Sequence, residues 1–158
     1  LEAAVKRIRP KGETDPKPLA VTYEALATVA RHEGELTVYR RAVAGQVRTV
    51  REHLQPDDPL REAATTALGD MWLTLGNLQQ AISVFESAER DALAKGQRKS
   101  AMLLALRLAW IAMVMEKGDK AQAIIDEVAS RPVAREPDMA LVLNVVRLRM
   151  AIFDGDES

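Results

Sequence analysis

The chain has 158 residues, room for one ordinary domain, and carries 22 basic against 23 acidic residues for a formal net charge of −1. It contains no cysteine, which excludes disulfides, thiolate metal sites and thiol nucleophiles. The charge balance argues against a protein built mainly to coat nucleic acid or an anionic membrane. Alanine is the commonest residue with 25 copies and aromatics make up only 4%. Alanine favours helices and aromatics favour strands, so the composition predicts an all-α fold.

The chain opens at Leu1, and Lys6, Arg7, Arg9 and Lys11 follow no apolar run, so residues 1–16 read as a lead segment, with room for a short helix over 1–9, and not as a signal peptide. Cytoplasm is the expected compartment. Prolines then punctuate the sequence at 10, 16 and 18, at 56 and 59, and at 132 and 137. Asp58-Pro59 has the form of an N-cap followed by proline in the first helical turn; Asp15-Pro16 and Glu136-Pro137 read as further starts. Between the breaks, apolar residues recur at helical spacing. This predicts helices at 17–33, 36–54, 59–75, 78–95, 98–117, 119–131 and 137–153. In the fourth, Leu78, Ala81, Ile82, Phe85, Ala88, Ala92 and Leu93 form one stripe. The longest apolar stretch, Ala101 to Met115, has 15 residues and includes Arg107. A membrane span needs about 20, so it reads as a core helix, and no membrane insertion is expected.

Gly34, Gly76 and Gly118 are spaced by 42 and 42 residues, each at a predicted helix end and each followed by Glu35, Asn77 or Asp119 at the next start. Glycine suits the left-handed conformation past a helix end, and Asn or Asp can cap the helix that follows. The repeating unit is therefore a helix, a tight turn and a second helix. In the middle unit, Leu68-Gly69, Trp72, Gly76, Ala81, Phe85 and Ala88 resemble the tetratricopeptide repeat. In the first unit Tyr39 and Val43 replace the Ala and Phe. In the third, Ala123 is in register but Glu127 takes the aromatic position, while a two-residue shift would use Ala121, Ile125 and Val128. The period of 42 exceeds the family's usual length of about 34 residues. The resemblance implies a right-handed stack of antiparallel helical hairpins, an α-solenoid of about seven helices. It makes 17–158 a single domain with repeats at about 20–55, 59–96 and 98–131 and a terminal helix at 137–153.

A catalytic constellation is not found. His32 and His53 lie on different predicted helices and form no zinc-type pair, Asp57-Asp58 and Asp154-Gly155-Asp156 fit caps and turns, and the glycines show no phosphate-binding pattern. No enzyme, metal or cofactor is expected. Arg40, Arg48 and Arg51 share a broad helix face, which reads as solvated and not as a nucleic-acid surface. By the resemblance, the first helix of each pair lines a groove for a protein or peptide. That projection places Glu24, Thr28 and Arg31 there from the first unit, Thr66, Asp70, Leu73 and Thr74 from the second, and Leu108, Ala112, Met115 and Glu116 from the third. The apolar stretch around Leu108 to Met115 reads equally as core. Thr66 and Asp70 do not supply the lysine and asparagine with which some family members clamp a carboxylate terminus. The expected function is a non-catalytic interaction scaffold within a longer protein; a ligand-sensing helical-repeat domain of a bacterial signalling or transcriptional regulator is the alternative. The last helix is apolar over much of its circumference. Val142, Val146 and Phe153 are expected at an association surface, for a homodimer or for further repeats of the parent chain.

Overall fold

The computed structural model describes the backbone of residues 15–155 and the side chains of 15–152. The expected lead helix over 1–9 lies outside that range. Seven α-helices follow in order: α1 Lys17–His32, α2 Leu36–His53, α3 Pro59–Thr74, α4 Leu78–Ala94, α5 Arg98–Val114, α6 Gly118–Ser130 and α7 Pro137–Gly155. A 3-10 turn, Pro132–Arg135, precedes the last. Among the described residues there is no strand, and the fold is all-α. The contacts divide the chain into two compact units, Leu1–Ala81 and Ile82–Ser158. In a repeat architecture each element touches mainly its sequence neighbours, so such divisions come naturally.

The helix ends explain the periodicity. At Gly34, Gly76 and Gly96 the backbone is left-handed, with φ of 75°, 72° and 71°. The amide of the next residue reaches back five positions to the last turn of the preceding helix: Glu35 to Ala30 (2.8 Å), Asn77 to Trp72 (2.9 Å) and Gln97 to Ala92 (2.8 Å). This is the Schellman closure, which satisfies carbonyls the helix itself cannot pair. The carbonyls of Glu35, Asn77 and Gln97 then accept from Tyr39, Ala81 and Ala101, so one residue ends a helix and starts the next.

The third hairpin turn corrects the sequence reading. Its left-handed residue is Glu116 (φ 59°), not Gly118, and the amide of Lys117 reaches the carbonyl of Ala112 at 2.9 Å. Gly118 is already the first residue of α6, and Lys117, not Asp119, is its N-cap. The hairpin turns are thus 42 and then 40 residues apart. Two connections account for the difference: five residues join α2 to α3, whereas three join α4 to α5. In the shifted register Ala121, Ile125 and Val128 are all fully buried, matching Tyr39, Val43 and Gln46 of α2, while Glu127 is exposed.

The longer α2–α3 connection has no left-handed glycine. A side chain closes it instead: Arg61 donates to the carbonyl of Leu54 through Nε (3.0 Å) and Nη2 (2.7 Å) and to that of Arg51 through Nη2 (2.8 Å). Asp58 caps α3 by accepting from the Leu60 amide at 3.0 Å and pairs with Lys17 at 2.8 Å, fastening the start of α1 to that of α3. The first unit's core brings together Ala27, Ala30, Tyr39, Ala42, Val43 and Met71, with Leu68 and Trp72 packed on it. The second unit's core gathers Met102, Ala105, Leu106 and Ala109 of α5, Ile125 and Val128 of α6, and Met139, Leu143 and Met150 of α7. Arg131 ties α4 to α6 in that unit, bonding Glu89 at 2.8 Å and Glu127 at 2.9 Å, and Lys99 holds Glu136 and Asp138, each at 2.8 Å.

Left-handed backbone costs a non-glycine residue about 1–2 kcal/mol, against glycine's entropic disadvantage of about 0.5–1. Glu116→Gly is therefore expected to raise stability by up to about 1 kcal/mol, and Gly76→Ala to lower it by about 1; urea denaturation of both variants measures this. The pH dependence follows from the caps. Hydrogen bonding from Lys17, and then from the Leu60 amide, holds the Asp58 carboxyl below its ordinary value, and Lys99 does the same to Asp138. Both groups release protons more readily folded than unfolded, so their contribution is complete above the ordinary carboxyl pKa of about 3.9 and is lost as pH falls through the folded values. The urea midpoint should fall between about pH 5 and 2.5. Asp58→Asn, which keeps a capping oxygen, should flatten that fall.

Candidate functional site

The first unit contains an open groove of about 880 Å³. Its walls are two helices that follow the same direction on either side of α2. Glu24, Thr28 and Arg31 project from α1 at successive helical turns with His32 beside them, and Glu62, Thr66 and Asp70 do so from α3 with Ala63 and Ala67 between them. Tyr39 and Gln46, two turns apart on α2, form the floor. The hairpin sets the levels. Tyr23 lies against Gly45, where even a methyl group would come within 2.5 Å of the ring, so the adjoining Gln46 sits at the level of Glu24. Tyr39, next to the α1–α2 turn, marks the level of Arg31 and Asp70. Burial pushes its phenol up, Arg31 opposes this, and Asp70 adds to it. Along the groove, Glu62 and Glu24 stand towards the Gln46 level, and Arg31, His32 and Asp70 stand at the other end.

Gln46 differs from every other buried side chain of α2. It is fully buried, and neither its amide nitrogen nor its carbonyl oxygen has a hydrogen-bond partner. The corresponding positions of α4 and α6 hold Ala88 and Val128. Thr49, the other buried polar residue of α2, is satisfied by donating to the Gly45 carbonyl at 2.8 Å.

Of the residues expected at a groove, Glu24, Thr28, Arg31, Thr66 and Asp70 stand around this one. Leu73 and Thr74 lie outside its lining; the Thr74 hydroxyl donates to the Asp70 carbonyl at 2.9 Å. In the second unit, Ala112 is part of the core and its carbonyl is taken by the turn, Leu108 and Met115 are half-buried, and Glu116 makes the turn itself. Ala112 is therefore a core residue there, not a groove residue. Sequence reasoning missed Gln46, Tyr39 and Glu62. The signal for Gln46 was present: it interrupts the otherwise apolar stripe Tyr39, Val43, Val50. Arg40, Arg48 and Arg51 are exposed, as are both histidines. Among the described residues no group of three or more His, Asp or Glu side chains could hold a metal ion, and no helix is long and apolar enough to cross a membrane.

Searches against protein-family models, curated proteins and solved structures found no match to the chain.

The α7 surface also departs from the sequence reading. Val142 and Val146 are half-buried and pack against the second unit's core. The outward stripe is instead Leu141, Val145, Leu148 and Ile152, at 65%, 48%, 62% and 58% exposure. The sequence reading chose the wrong face because α7 is apolar nearly all round, so periodicity alone cannot orient it. The side chain of Phe153 lies outside the described residues. Val142→Lys and Val146→Lys are expected to cost about 1–3 kcal/mol each through burial of charge against the core. Leu141→Lys and Leu148→Lys should change stability by less than about 0.5 kcal/mol. Thermal denaturation of the four variants checks the assignment of faces.

Proposed function

We propose that the chain is a non-catalytic interaction module whose first unit binds a peptide segment in the groove between α1 and α3. The observation that carries this reading is the groove itself: two walls of charged, polar and small side chains over a floor supplied by α2. Such a surface offers hydrogen-bonding groups along a line, which suits an extended chain. The likeness of the middle unit to the tetratricopeptide repeat supports the same use of the first helix of each pair. A volume of about 880 Å³ also suits a compact ligand, which supports the second reading, a sensor domain.

The test is selection of a displayed heptapeptide library on the full chain, followed by fluorescence anisotropy on the synthesised winners. Thr28 is exposed and lines the groove, so Thr28→Trp fills it without disturbing the core. Selected peptides should bind this variant at least tenfold more weakly, whereas Leu148→Lys on α7 should leave affinity unchanged. Failure to select any peptide, or peptides indifferent to Thr28→Trp, would move the interaction surface away from this groove.

A further inference from the structure

Three features invite a further reading: the exposed stripe on α7, the Lys99 cluster with Glu136 and Asp138, and the unpaired amide of Gln46. Nothing in the structure says what covers the α7 stripe. The Lys99 cluster is already paired within itself, one ammonium with two carboxylates, and joins the start of α5 to that of α7. Gln46 is different, because its presence is unexplained by the fold.

A primary amide offers two donors and two acceptor lone pairs. Burying it with none of these used is unfavourable, and native structures rarely leave such a group without a reason. Packing does not require glutamine here, since Ala88 and Val128 fill the matching positions of α4 and α6. The groove whose floor it helps to form is a place where a ligand could satisfy the amide. An amide that can donate and accept side by side complements a peptide group, which presents one N–H and one C=O. At the same level stands Glu24, with Glu62 nearer the start of α3. The groove as a whole places three carboxylates, Glu24, Glu62 and Asp70, against the single guanidinium of Arg31.

We infer that Gln46 is the reading residue of the groove. It pairs with a backbone amide of an extended peptide that carries a lysine or arginine close to that amide, directed at Glu24 and Glu62. The inference rests on the peptide-binding reading above and adds the recognising group and the charge of the ligand. Gln46 is fully buried in this conformation, so contact requires the rim side chains to part, and binding includes a local rearrangement. A glutamine retained for recognition at the expense of packing also makes a stability–function trade-off.

The experiment compares the full chain with its Gln46→Leu and Gln46→Met variants. Each is first melted, then titrated with the library-selected peptides and with versions in which every Lys or Arg is replaced by Gln. The expected result has three parts. Both variants melt at a higher temperature than the parent; their affinity for the selected peptides falls at least tenfold; and the Gln-substituted peptides bind the parent at least tenfold more weakly. In a ¹⁵N spectrum of the parent, the Gln46 side-chain amide pair should shift on peptide addition. Peptides that bind the parent and the Gln46 variants equally, while still losing affinity to Thr28→Trp, would overturn the role of Gln46 but leave the peptide groove standing. Selected peptides rich in Asp or Glu would overturn the charge assignment. Variants that melt lower than the parent would show that Gln46 serves the fold.

Discussion

Four helix ends among the described residues close in the same way. A left-handed residue lets the amide of the next residue reach back five positions, and the carbonyl of that next residue opens the following helix. Everything else in the architecture inherits from this constraint. A reversal of fixed geometry sets the rotational phase of the second helix against the first. The fourth residue past each closure, Tyr39, Ala81, Ala101 or Ala121, is accordingly buried every time. Core positions are thereby dictated by distance from a turn and not by composition, which explains how residues as different as Tyr39 and Ala81 occupy equivalent places. The groove inherits the same order, since its floor residues lie a fixed number of turns beyond the first closure.

The constraint also decides what was legible in the sequence. Glycine, proline and aspartate write helix limits in a single residue each, and six of the seven starts fall where those residues and the apolar spacing place them. The seventh, at α6, slipped by one residue because its turn uses Glu116 in a conformation glycine normally signals, while a real glycine stands two residues on. Side-chain orientation on α5 and α7 was harder to read. Both helices are apolar on most sides, so the pattern that identifies an inner face elsewhere is missing. The division between Val142 and Val145 becomes visible only from what each touches. Glu24, Thr28 and Arg31 were legible as one face of a helix, but the floor beneath them was not, because Gln46 comes from the helix the sequence marks as core.

The first unit balances two ways of ending a helix. α1 and α3 end on glycine, a backbone solution, whereas α2 ends on the guanidinium of Arg61, delivered from the next helix. The side-chain solution accommodates a five-residue connection, and that extra length gives Asp58 space to cap α3 and to meet Lys17. The walls of the groove are thus fastened together at their starts by an ion pair, while α2 supports them along their length.

The chain carries two tryptophans, and their placement makes each unit its own optical reporter. Trp72 is packed on the core of the first unit. Trp110 belongs to the second, partly open to water, with the Arg149 guanidinium 5.7 Å from its ring centre. A half-buried indole packed on a core and an exposed one beneath a cation sit in different surroundings, and they differ in emission and in quenching. The emission spectrum of the unaltered protein therefore contains separable signals from its two halves, and whether they melt as one body or in sequence can be watched without attaching a label.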